Sequence, residues 1–239
     1  MRQSGLILLA FLGALLLPGC ATRIDRDGQP VTQFDPKYLA KSDTDRVLDL
    51  SRKDIVAQLL GIADKLYKRN PKQWRNAGFA SREAALVRLA DFEKNPPADL
   101  AGLTEGPAAL KAFAPDYPGD RVAALVYGLL TMVDAAYEHK SDFYILTTLD
   151  PQKLHNCARN MEIALWKLAS AKGDDGLPLI VSNELDPLNP NLSYEREFGK
   201  IIGLLDFLSS VVSDKTGRAV TRVSQSLALG LFLPIGGLQ

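Results

Sequence analysis

Residues 120 to 137 carry apolar side chains on several faces of a helix, with Val122, Leu125, Val126, Leu129, Leu130 and Val133 among them. A helix that is apolar nearly all round cannot lie on a surface and must be wrapped by other elements. The rest of the chain supplies the wrapping. Between about Thr44 and Lys68, Ile55, Val56, Leu59, Leu60, Ile62 and Leu66 recur at helical spacing. Ser51, three residues before Asp54, predicts a cap that splits off a short leading helix. Asn70-Pro71 predicts a new helical start, with Asn as cap and Pro at the first position. A short helix around Trp74 follows, then one over about 82–94 capped by Ser81 and stopped by Asn95-Pro96-Pro97.

The segment from Pro96 to Gly119 is rich in Pro and Gly, with room for one short helix near 107–113. It is the best internal boundary, and it reads as a long packed connection rather than a functional loop. Asp150-Pro151 opens the clearest amphipathic helix, with Leu154, Cys157, Ala158, Met161, Leu165 and Leu168 on one stripe. Gly173 and Gly176 end it, and residues 177–181 are extended with no obvious β partner. Ser193 is expected to cap a long helix that stops at Lys215 and Gly217. A last amphipathic segment carries Val220, Val223, Leu227 and Leu231. The expected fold is all-α: a multi-helix, bundle-like domain over 44–239, with 96–119 as its internal boundary.

The N-terminus carries a separate instruction. Arg2 precedes an uninterrupted apolar run from Leu6 to Leu17, too short to span a bilayer as a helix but of the length of a secretory core. It ends in Leu17-Pro18-Gly19-Cys20. That motif resembles the lipobox of bacterial lipoproteins, and the resemblance covers only the first twenty residues. It implies a signal peptide over 1–19, cleavage before Cys20 and lipid attachment there, palmitate included. Ala21 follows the cysteine where Asp would imply inner-membrane retention, so the resemblance points to the outer membrane, facing the periplasm. Residues 20–43 then read as a lipidated flexible tether, about 25 Å in typical reach.

The 28 basic and 28 acidic residues balance, which gives no electrostatic footprint for nucleic acid and no polybasic patch for anionic lipid. The membrane is therefore expected as a partner through the lipid alone. With Cys20 acylated, Cys157 is the one thiol left, so no intramolecular disulfide is expected.

No complete catalytic constellation can be assembled. Lys215-Thr216-Gly217 has the letters of a motif of penicillin-binding proteins and β-lactamases, but no Ser has a Lys three residues later. His155 and Cys157 lie two apart, which on a helix points them about 200° from each other. Asp134, Glu138 and Asp142, with His139 beside them, could form a ladder for a divalent cation, yet read better as a solvated face. Glu195 and Glu197 suit the first turn of a helix, where carboxylates meet the positive dipole end. Neither metal nor cofactor is expected.

The expected function is thus non-catalytic: a lipid-anchored envelope protein whose helical domain binds another envelope protein, with Leu227, Leu231 and Phe232 as the candidate interaction surface. That C-terminal run reads as packed rather than exposed. The alternative is a binder of an apolar small molecule or lipid, held between the helices around Val122–Val133 and Ile201–Val212. A hydrolase with polar groups converging in a cleft is the third reading.

Overall fold

The computed structural model describes residues 22–24, 30–32, 41–144, 147–183, 191–218, 220 and 230–235. The chain divides into two units, residues 1–42 and 43–239. In the first, two short strands, β1 (Thr22–Ile24) and β2 (Pro30–Thr32), pair antiparallel with Arg23 opposite Val31. The span read as a tether therefore holds a small ladder, while Cys20 and the signal segment lie outside the described residues.

The second unit is all-α. Its helices are α1 (Asp43–Arg69), α2 (Pro71–Asn76), α3 (Arg82–Ala90), α4 (Glu105–Lys111), α5 (Arg121–Ala136), α6 (Pro151–Ser170) and α7 (Ser193–Thr216), with a 3₁₀ turn at Ala98–Leu100. As its composition requires, α5 is the centre: Val122, Leu125, Val126, Leu129, Leu130 and Val133 are all fully buried. Around it stand α1, α4 and α6, and α7 packs on α6 and α1. Among the described residues, no helix is long and apolar enough to cross a membrane.

Three capping expectations are corrected. Ser51 starts nothing, because α1 runs unbroken from Asp43; its buried hydroxyl donates to the Val47 carbonyl one turn back at 2.6 Å. Asn70 makes no side-chain cap, although Pro71 does open α2. Its amide instead clasps the 181 loop, donating to the Val181 carbonyl (2.9 Å) and accepting from the Val181 N–H (2.8 Å). Ser193 is the first residue of α7 rather than its cap, and its N–H is taken by Asn191 Oδ1 at 3.1 Å. The caps at Ser81, Asp120 and Asp150 are present, each side chain accepting a backbone N–H of the first turn.

Two helices are also displaced from their expected spans. α3 ends at Ala90, so Phe92 leaves the helix as a buried side chain of the following turns. The short helix of the 96–119 connection starts at Glu105, earlier than 107. The extended piece finds its partner within its own turn, a bridge between Lys172 and Pro178.

The C-terminal segment is tied down. Asn160, fully buried on α6, donates to the Leu233 carbonyl (2.8 Å) and accepts the Leu233 N–H (2.7 Å). Phe232 packs against the core and Ile235 is buried, as the packed reading anticipated, whereas Leu231 is exposed. Leu227 lies outside the described residues.

Candidate functional site

The N-terminal end of α5 builds the most elaborate group of polar side chains in the helical unit. Asp120 caps the helix because its Oδ1 accepts the Ala123 N–H at 2.9 Å. Its other oxygen, Oδ2, accepts the Tyr67 hydroxyl at 2.8 Å, joining the last turn of α1 to the first of α5. Burial, and then the neighbouring carboxylate, push the Tyr67 phenol well above its ordinary range, so it stays a donor. Burial likewise raises Asp120, against the pull of its hydrogen bonds.

A second pair stands next to the first. The Tyr117 hydroxyl donates to Asp99 Oδ2, and any β-carbon at Gly119 would collide with both groups. Arg121 holds this loop from beneath. Its guanidinium donates to the carbonyls of Ala112 (2.9 Å), Ala114 (2.7 Å) and Pro115 (3.0 Å), and it lies over the Tyr117 ring at 5.9 Å.

The Tyr67–Asp120 pair and, from the second pair, Asp99 line a cavity of about 370 Å³. Its walls are aromatic and aliphatic: Phe79 from the α2–α3 connection, Leu89 and Phe92 from α3 and the turn after it, and Tyr127 one turn further along α5. Arg88 stands among the lining residues with its Nη2 donated to the Pro96 carbonyl at 2.9 Å.

A smaller cleft of about 230 Å³ shares Phe92 and Tyr127 with the first. Asp120, Ala123, Tyr127, Thr131 and Asp134 are spaced 3, 4, 4 and 3 apart, so one stripe of α5 serves both. In the smaller cleft Asp134 accepts from Arg52 at 2.9 Å and faces His139 Nδ1 at 2.6 Å. Glu105, Glu138 and His139 all adopt positive φ (51°, 55° and 58°), a conformation uncommon outside glycine.

The carboxylate ladder weighed as the alternative to a solvated face does not form. α5 ends at Ala136, so Glu138 and Asp142 leave the helix. Asp134 is neutralised by Arg52, and Glu138 by Lys140 (2.7 Å) with Lys153 at 3.6 Å. Among the described residues no group of three or more side chains is placed to hold a metal ion.

The other sequence candidates also separate. Cys157 is fully buried in α6, its thiol pushed up by burial, while His155 faces Asp206 of α7 at 3.7 Å. Lys215 pairs with the fully buried Asp45 at 2.8 Å, and Gly217 closes α7 in the left-handed region. Glu197 bonds Lys65 at 2.9 Å and Lys200 at 3.2 Å, which holds its carboxyl below the usual range. Glu195 lies in the first turn of α7. The cavity that the alternative reading put between α5 and α7 is not found among the described residues. Val122, Leu125, Ile201, Leu205 and Leu208 are buried in one continuous core, and the 370 Å³ cavity lies on the α1–α3 side of α5.

Sequence reasoning found the Asp120 helix start but not its partner. Tyr67 lies 53 residues away, and nothing local in either segment pairs them. No family model, curated protein or solved structure matches this chain.

Proposed function

We propose that this chain is a lipid-anchored envelope protein whose helical unit captures a small, largely apolar molecule in the cavity between α1, α3 and α5. One observation carries the reading: about 370 Å³ of space walled by Phe79, Leu89, Phe92 and Tyr127, with the polar Tyr67–Asp120 pair at one end. Small-molecule sites have this size and this balance, apolar walls with a few fixed polar groups. Asp120 and Asp99, each held by a tyrosine hydroxyl, are the fixed polar groups of this lining. The Cys20 anchor would hold the cavity at the periplasmic face of the outer membrane, since two or three acyl chains bind firmly at about 0.8 kcal/mol per buried CH₂.

The cavity is tested with indole, a neutral aromatic of suitable size, titrated calorimetrically into the full-length, detergent-solubilised protein. Saturable binding at about millimolar affinity or tighter is expected. It should disappear in Ala123→Trp, which fills the space from α5. Heat that does not saturate, or that persists unchanged in Ala123→Trp, would discard the binding reading.

The address is tested separately by metabolic labelling with a palmitate analogue. Label is expected on the wild-type chain and not on Cys20→Ser; equal signals from both would remove the anchor from the proposal.

A partner-binding surface at the C-terminus comes second. Of its candidate residues, Leu231 keeps an exposed side chain (61 %) while Phe232 is turned into the core.

A further inference from the structure

The charge at the end of the cavity narrows what the cavity takes. Asp120 lines it and is 5 % exposed. Its carboxylate accepts from the Tyr67 hydroxyl and from the Ala123 N–H. Both donors are neutral, and among the described residues no lysine or arginine forms an ion pair with it. Asp99, the second carboxylate of the lining, is satisfied by the neutral Tyr117 hydroxyl. Elsewhere in this unit the buried or half-buried carboxylates of Asp45, Asp134 and Glu138 each meet a lysine or arginine. Arg88, itself in the lining, donates to the Pro96 carbonyl, and Arg121, next to Asp120 in the chain, donates to the carbonyls of Ala112, Ala114 and Pro115.

A carboxylate removed from water without a countercharge is costly unless an opposite charge reaches it. The walls favour the same sign, because aromatic rings present a negative face to a cation. Phe79, Phe92, Tyr67 and Tyr127 are all part of the lining.

We infer that the ligand class of this cavity is an organic ammonium: a protonated amine on an apolar body, its head between Asp120 and Asp99 and its body against Phe79, Phe92 and Tyr127. This rests on the binding proposal above and specifies its ligand. A carboxylic acid of the same shape is disfavoured, because its charge would meet two carboxylates.

The test holds the body constant and changes the head. 2-Phenylethylamine, 2-phenylethanol and phenylacetate are titrated into the full-length protein near neutral pH. The amine is expected to bind about ten- to a hundredfold more tightly than the alcohol, as a hydrogen bond to a charged group allows. Phenylacetate is expected to bind least. Asp120→Asn retains a competent helix cap and should remove most of the amine's advantage over the alcohol, with the far-ultraviolet spectrum unchanged. Asp99→Asn, at an exposed position, is expected to give a smaller loss of the same sign and serves if Asp120→Asn does not fold. Equal binding of amine and alcohol, or preference for phenylacetate, overturns the ammonium inference and leaves the cavity a binding site. Binding of none of the three overturns both.

Discussion

Gly128→Val is expected to lower the thermal unfolding midpoint by roughly 6–12 °C, the equivalent of about 3 kcal/mol in a domain of this size. The reason is where α4 crosses α5. A β-carbon on Gly128 would stand 2.5 Å from the Ala109 nitrogen, 2.7 Å from the Ala109 β-carbon and 2.7 Å from the Glu105 carbonyl oxygen. Two of these three atoms belong to the backbone, so no rotamer change relieves the clash. α4 is also pinned at its start, where the Glu105 N–H donates to Thr131 Oγ1 at 2.7 Å and Glu105 itself sits at φ 51°.

A control on the same helical background has the opposite sign. Gly61 in α1 and Gly203 in α7 have nothing within 4 Å of an added β-carbon. Gly61→Ala or Gly203→Ala should therefore raise stability by about 0.5–1 kcal/mol through helix propensity alone. Calorimetric melts of the three variants decide the matter. A Gly128→Val protein that melts with wild type would show that α4 does not pack as closely as described.

The second large effect is expected at Asn160, whose side-chain amide does for the C-terminal segment what Asn70 does for the 181 loop. Asn160→Ala removes two hydrogen bonds to Leu233 and leaves a peptide N–H and C=O facing the interior of a fully buried position. Each orphaned group costs about 1–3 kcal/mol, so a loss of roughly 2–6 kcal/mol is expected if the segment stays docked. If it undocks instead, the Leu233 amide should lose its hydrogen-exchange protection first, ahead of global unfolding. Denaturant melts combined with exchange at Leu233 distinguish the two courses. An unchanged melt together with an unchanged Leu233 exchange rate would mean the clasp contributes nothing. Asn160→Asp should not rescue, because it keeps the acceptor for the Leu233 N–H but brings a buried charge towards the Leu233 carbonyl.

Ser51 and Asn70 show why sequence-level capping rules succeed at some helix starts and fail at others. Ser81, Asp120 and Asp150 cap as their local patterns predict, because a cap bond closes within three residues. Ser51 fails because the apolar stripe Leu48, Ile55 and Leu59 keeps α1 continuous against the core, overriding a local alternative. Asn70 fails because a residue 111 positions away competes for its amide. Asp134, Glu138 and Asp142 looked like a ladder only as long as α5 was taken to continue past Ala136, and the positive φ values at Glu138 and His139 are where it stops.

From the sequence alone came the all-α class, the burial of α5 and the isolation of Cys157, since hydrophobic periodicity and composition act over one or two helical turns. The identity of the site came only with the tertiary structure. The Tyr67–Asp120 and Tyr117–Asp99 pairs, the Arg121 clamp and the cavity lined by Tyr67, Asp120 and Asp99 depend on how distant segments meet. Side chains that recur every third or fourth residue reveal which face of a helix is buried. They carry no record of which distant polar group that face will meet, because that is set by how the helices cross.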